Sequence, residues 1–184
     1  RLHEMRQVFL VLGEIVDMKT GYFAGNPISY NYSKDVEGYE AAQNLITRFS
    51  AENNLPDLDV ETTTMAAICG YGARLLYIDK QARERVKNLP AYGTVILTSS
   101  GDITEPEYAL YVYVVLNENN SPIRKVEFYD EAKTYYFVET RSNSGSFRVE
   151  KEPEPHPFGI CPVVGYPNNA ELQGDAEKVL SLID

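Results

Sequence analysis

Tryptophan is missing from this chain, and cysteine and histidine occur only twice each in 184 residues. Each scarcity removes a class of chemistry. Cys69 and Cys161 have no further ligands near them, so a zinc site is excluded. Both read as small core hydrophobes, not as a disulfide. His3 and His156 are the only imidazoles, and His156, held between Pro155 and Pro157, reads as a loop residue rather than a base. Positive charge is scarce too: 17 Lys and Arg face 27 Asp and Glu, a net charge of -10. A chain so acidic lacks the cationic surface that a sequence-independent grip on nucleic acid requires. The densest basic stretch, Lys80 to Lys87, also carries Glu84 and reads as a solvated connector. No apolar run approaches the roughly 18 residues of a membrane span, and no signal-peptide pattern opens the chain. A reducing, non-secreted setting is the expectation, in which the Asn31-Tyr32-Ser33 sequon carries no meaning.

What is present is an ordinary globular composition, 43% hydrophobic and 24% charged, with 14 Tyr and 7 Phe. Length and composition suit one domain. Leu2, Met5, Val8, Phe9, Leu12, Ile15, Val16 and Lys19 recur at steps of three and four, predicting an amphipathic helix over 3–19 that ends at Thr20-Gly21. Leu12 and Ile15 are expected to face the core. Gly25-Asn26-Pro27 reads as a turn and Ile28 to Tyr32 as a short strand. A second helix is expected over Val36 to Asn53, burying Tyr39, Ala42, Leu45, Ile46 and Phe49. A third should run from Val60 to Cys69 and stop at Gly70.

Beyond Gly70 the period changes to two. Ala73–Asp79, Gly93–Thr98, Glu107–Leu116, Lys125–Tyr129, Thr134–Glu139 and Phe147–Lys151 read as strands, separated by turn-forming clusters. Such short connections favour antiparallel hairpins. A Pro-rich segment, Pro153 to Pro157, leads to a last strand at Cys161–Tyr166. Gly174 and an N-cap at Asp175 then open a helix whose apolar stripe, Val179, Leu180 and Ile183, is still running at Asp184. With Arg at position 1, that suggests a piece of a longer protein. The expected class is α+β: N-terminal helices, a mostly antiparallel meander and a truncated C-terminal helix. The divisions are a mainly helical 1–70, a β-rich 71–166, and 167–184 as the start of a helix.

Catalytic patterns are weak. Gly70-Tyr71-Gly72 follows a helix and precedes a strand, the reverse of the order a phosphate cradle needs. Glu150, Glu152 and Glu154 alternate along one strand, and Asp102, Glu105 and Glu107 cluster in a loop. Either set could pair carboxylates or hold a cation, though solvated surface is the simpler reading. No catalytic residue, metal or cofactor is assigned.

Several segments, in order, resemble the portal, or head-to-tail connector, proteins of tailed bacteriophages, in the siphophage branch of Gram-positive hosts. They begin with Lys19-Thr20-Gly21-Tyr22-Phe23-Ala24-Gly25-Asn26-Pro27-Ile28-Ser29-Tyr30. Phe49 to Leu55 follows, then Ala66 to Gly72 running into Leu75-Leu76-Tyr77-Ile78-Asp79. Val126-Glu127-Phe128-Tyr129-Asp130 resembles a hairpin edge of the family. The strongest element is His156-Pro157-Phe158-Gly159-Ile160-Cys161-Pro162-Val163-Val164, then Tyr166, Asn168-Asn169, Gly174-Asp175, Glu177 and Leu182-Ile183-Asp184.

The resemblance implies the wing region of a portal subunit, without stem and crown. By the same resemblance the parent protein is a structural, non-enzymatic virion component, forming a dodecameric ring at one capsid vertex. Its partners would be other copies of itself, the terminase motor, scaffold or capsid proteins and tail connectors. DNA would pass the channel without gripping this acidic part. The setting would be the virion, and the host cytoplasm during assembly, with no membrane. Two rival readings stand beside it. One is an acidic hydrolase or carbohydrate-binding domain using Glu150, Glu152 or Asp102. The other is a monomeric binding module with a similar fold.

Overall fold

The computed structural model describes residues 2–141 and 145–177, with the backbone alone for 2–10. Three helices come first: α1 (Leu2–Ala24), α2 (Tyr39–Asn53) and α3 (Leu55–Cys69). Eight strands follow: β1 (Tyr71–Ile78), β2 (Glu84–Leu89), β3 (Thr94–Leu97), β4 (Tyr108–Leu116), β5 (Pro122–Tyr129), β6 (Lys133–Glu139), β7 (Phe147–Pro155) and β8 (Val163–Pro167). All pairings are antiparallel, in a small sheet of order β2-β1-β8 and a larger one running β3-β4-β5-β6-β7. The class is α+β. The expected C-terminal helix falls almost wholly beyond Glu177, outside the described residues, as does most of the turn from Arg141 to Gly145.

The small sheet is the middle layer. Ala73 and Leu75 of β1 face one way, joining Leu89, Ala109, Tyr129, Cys161 and Val163 in the core between the two sheets. Gly72 and Arg74, one residue out of phase, face α3, as the period-two alternation of a strand requires. A Cβ on Gly72 would stand 2.9 Å from Thr62 O, so only glycine lets α3 lie this close.

The helices depart from their expected bounds for local reasons. α1 does not stop at Thr20-Gly21. It continues to Ala24 and closes with Gly25 N–H donating to Gly21 O at 3.1 Å. Its apolar residues divide between two sides: Leu12 and Val16 are half-buried and Thr20 and Ala24 buried, while Val11, Ile15, Met18 and Tyr22 are exposed. Ile15 therefore does not face the core. α2 starts at Tyr39, not Val36, because Gly38 turns left-handed there. None of its residues is buried, and Leu45 is exposed. Asn54, with φ of 50°, breaks the chain between α2 and α3, and Pro56 sits in the first turn of α3, where its missing N–H costs nothing. α3 thus begins five residues ahead of its expected start. Gly70, φ 89°, ends it as anticipated.

Ile28–Tyr32 is not a strand. The side-chain amide of Gln43 replaces a ladder, accepting from Tyr32 N–H at 2.8 Å and donating to Tyr30 O at 3.1 Å. The converse correction is β2, a strand within the stretch expected to be a connector. Its edge is closed by Asn53, which accepts from Val86 N–H at 3.0 Å and donates to Glu84 O. Its charged residues suit an edge and hide the strand from a hydrophobicity pattern. β7 extends through Pro153 to Pro155, tolerable because it is the outermost strand.

The larger sheet has one face on the core and, among the described residues, one without a covering layer. Thr94, Ala109, Tyr129, Thr134 and Val138 point inward and are buried. In the opposite phase, Val95, Leu97, Val112, Val114, Leu116 and Val149 are exposed. Tyr108, Phe128 and Tyr135 form an aromatic row across β4, β5 and β6 on that outer face, with centroids 5.6 and 5.7 Å apart.

Candidate functional site

The end of α1, the 25–32 loop, α3, β1 and β8 converge on a cleft of about 450 Å³. Its floor is a buried ion pair. Arg74 Nη2 stands 2.7 Å from Asp59 Oδ1, the two side chains only 7% and 6% exposed. Charges this deep are costly unless they are paired and hydrogen-bonded. Arg74 Nη2 meets Asp59 as an ion pair without hydrogen-bond geometry, and other atoms of the two groups are hydrogen-bonded. Tyr30 donates its hydroxyl to Asp59 Oδ2 at 2.8 Å. Arg74 Nε donates to Thr62 Oγ1 at 2.9 Å and Asn88 Oδ1 at 3.0 Å. The Tyr166 ring lies 5.0 Å from the guanidinium carbon. Phe23, Ile28 and Ala66 supply the apolar walls. The Asp59 carboxylate also draws on the Tyr30 phenol, whose proton is held more tightly than usual, chiefly by burial and then by that bond.

A clasp closes one side of the cleft. Lys19 Nζ donates to Asn168 Oδ1 at 2.6 Å and to Asp175 Oδ1 at 2.8 Å. Asn168 Nδ2 reaches Gln173 O at 2.9 Å and Asp175 Oδ1 at 2.8 Å. Asn169 Nδ2 donates to the same Gln173 O, and Gln173 N–H returns a bond to Asn169 Oδ1 at 2.9 Å. Two glycines let this loop seat against the end of α3. A Cβ on Gly70 would fall 1.9 Å from Leu172 O, and one on Gly174 would fall 2.3 Å from Ile68 O. Burial pushes the Asp175 carboxyl up, but Lys19 and Asn168 outweigh it and hold it below the ordinary range. Asp175 Oδ1 is engaged there, and the helix it is expected to cap lies outside the described residues. Glu177 reaches back to accept from Gly174 N–H at 3.2 Å.

A second polar knot lies between the sheets. Glu127 accepts from Tyr113 at 2.9 Å through one oxygen and from Tyr129 through the other. Both phenols are pushed well above their ordinary range, by burial first and then by the Glu127 charge.

The residues singled out in sequence do not converge. Glu150 pairs with Lys125, while Glu154 bonds Lys151 and accepts from Tyr136 at 2.8 Å. Register irregularities beside Tyr136 interrupt the alternation that put these glutamates on one face. Asp102 accepts from Thr104 N–H at 2.8 Å and Thr104 Oγ1 at 2.7 Å, and Glu107 from Ser99, so each stabilises its own loop. His156 Nε2 stands 3.1 Å from Asp130 O, tying β7 to the β5–β6 turn. Cys161 is buried as expected. Cys69 is only half-buried, with Sγ 3.6 Å from Met65 Sδ, and both thiols are free. Among the described residues no cluster of His, Cys, Asp and Glu could hold a metal, and no helix is long and apolar enough to cross a membrane.

Sequence reading missed the Asp59–Arg74 pair. Its one signal was an arginine inside the otherwise small and apolar run Gly72-Ala73-Arg74-Leu75-Leu76. The partner could not be read, because periodicity carries no information about which helix covers a strand.

The family model described as phage portal protein, SPP1 Gp6-like, matches residues 3–184 of the chain. No curated protein matches it.

Proposed function

The chain belongs to the SPP1 Gp6-like phage portal protein family, a family of structural head-to-tail connectors of the virion, and we propose that it is the peripheral wing of a portal subunit. In this reading the parent subunit closes into a ring, of about twelve copies by resemblance, at one vertex of the capsid. DNA enters and leaves through that ring, and the terminase motor, the scaffold or capsid proteins and the tail connectors dock on it. Assembly takes place in the host cytoplasm.

The observation that carries the reading is the clasp. The family match spans the chain from residue 3 to residue 184, and Lys19, Asn168 and Asp175 tie the end of α1 to the segment after β8. A wing must transmit position from the rest of its subunit to its neighbours, and a rigid junction there suits that task. The acidic composition suits a conduit that releases DNA phosphates instead of holding them. The experiment is negative-stain electron microscopy of the whole portal subunit, with its mass measured by light scattering. A ring with an axial hole is expected. A well-folded monomer at high concentration would reduce the reading to a binding module that shares the fold.

A further inference from the structure

The Arg74 side chain is 7% exposed at the floor of the cleft, yet its outer nitrogens are not spent on the protein. Nε–H is placed for Thr62 Oγ1 and Asn88 Oδ1. Nη2 is buried against Asp59 without hydrogen-bond geometry, and Nη1, on the cleft side, makes no hydrogen bond among the described residues. The group is held in place all the same, by Asp59 and Thr62 of α3, Asn88 of β2 and the Tyr166 ring of β8. Tyr30 explains why the fork stays open. It takes Asp59 Oδ2, the oxygen that would otherwise close a two-point pair with the guanidinium. Burial first, and then Asp59, push the Tyr30 phenol up while Arg74 pulls it down, and the proton stays on Tyr30 as the donor to Asp59. An arginine needed only to tie α3 to β1 would turn its outer donors to protein oxygens, since buried donors without a bond cost stability.

We propose that this cleft binds a monocarboxylate with an apolar body, its carboxylate on Arg74 Nη1 and its body against Phe23, Ile28 and Pro167. The hydrogen-bonding supply of the cleft selects the carboxylate. Its strongest acceptors are engaged already: both Asp59 oxygens by Arg74 and Tyr30, and Asn168 Oδ1 by Lys19. Donors remain, on Arg74 and on Lys19 Nζ, which spends two of its N–H groups on Asn168 and Asp175. A ligand therefore has to bring acceptors, and an ionised one on a guanidinium makes a bond roughly twice as strong as a neutral pair. Charge limits the choice further. Asp59 beside Arg74, and Asp175 behind Lys19, offset the two cations, so a dianion such as a phosphate ester meets repulsion that a monoanion largely escapes. The walls select the body. A cleft of about 450 Å³, with apolar sides and one fixed polar group on its floor, has the size and character of a small-ligand pocket, roughly 300–1,000 Å³. A free small acid and the C-terminal end of a peptide present this same carboxylate, and the test separates them. The site does not depend on ring formation.

The test is calorimetric titration of the whole chain with phenylacetate, beside phenylacetamide as the uncharged counterpart and benzylphosphonate as the more highly charged one. Phenylacetate is expected to bind with a dissociation constant of about 1 mM or tighter, within reach of so small a ligand. Each counterpart should bind at least about tenfold more weakly. Amide proton–nitrogen NMR spectra locate the site, with shifts expected at Phe23, Ile28, Arg74 and Tyr166. Arg74→Lys keeps the charge but loses the planar fork, and should weaken binding at least about tenfold. Phe23→Ala alters an exposed wall and should weaken it about threefold. A cooperative melt confirms that each variant folds, and if Arg74→Lys does not, Phe23→Ala and the spectra carry the test. No heat and no shifts at about 10 mM phenylacetate overturn the site. Shifts confined to other parts of the chain overturn its location, as does unchanged affinity in the folded variants. Phenylacetamide binding as tightly as phenylacetate overturns the carboxylate. The tripeptide Ala-Ala-Phe, with its C-terminus free or amidated, supplies the last comparison. Binding tighter than phenylacetate and lost on amidation assigns the cleft to a chain end. Binding weaker than phenylacetate assigns it to a free acid, and either result supports the carboxylate site.

Discussion

Lys19 and Asp175 meet at 2.8 Å although 156 residues of chain separate them. The contact joins the last turns of α1 to the segment that follows β8, and Asn168 bonds both partners. An exposed ion pair alone contributes little, and Lys19 is 40% exposed. The worth of the clasp therefore lies in Asn168, which places three hydrogen bonds at once.

Asn168→Ala is expected to cost more stability than Lys19→Ala: about 1–3 kcal/mol against about 0.5–1 kcal/mol. Urea melts of the two variants, compared with wild type, decide it. Equal losses would mean that the charge pair, not the amide, holds the junction.

Arg74→Met should cost about 3–5 kcal/mol, because it leaves the buried Asp59 carboxylate with no cation. Pairing it with Asp59→Leu should recover a substantial part of that loss, since no uncompensated charge remains. A double-mutant cycle measures the coupling. Purely additive losses would show that the two groups are not a pair in solution.

Glu139 is bonded by the Arg124 guanidinium at 2.8 Å, which holds its carboxyl at about 2. The unfolded glutamate titrates near 4.3, so the unfolded state takes up protons first as pH falls. The stabilisation is complete above the unfolded value and is lost as pH drops through about 2. Glu139→Gln should therefore flatten the fall in stability between roughly pH 4.5 and 2. Midpoints of urea unfolding at fixed pH values check this, and an unchanged slope would refute it. Asp79 adds a parallel contribution: burial pushes it up, but Arg83 and Arg85 outweigh that and hold it at about 2.

Two glycine substitutions should act with opposite sign. Gly70→Ala meets both a positive φ of 89° and a backbone carbonyl 1.9 Å from the new Cβ, and should cost at least about 1–3 kcal/mol. Gly13→Ala in α1 meets nothing within 4 Å. There alanine should add about 0.5–1 kcal/mol by lowering the entropy of the unfolded chain. Thermal melts of the two proteins resolve the difference.

Periodicity alone was enough for the class and for most elements. The Tyr- and Val-rich runs from Ala73 onward read as strands, and Gly70 as the end of a helix, because both signals are local. The ordered segments from Lys19 to Asp184 likewise pointed to the portal family without any coordinates. Other features needed the folded chain. β2 escaped notice because an edge strand closed by Asn53 has no apolar alternation to show. Ile28–Tyr32 looked like a strand because a backbone held by Gln43 has the same side-chain pattern as one held by a ladder. Which side of α1 meets α3, that Asp59 pairs with Arg74, and which face of the five-stranded sheet meets the core are all long-range facts. A period states that a face is apolar, but only tertiary packing decides what lies against it.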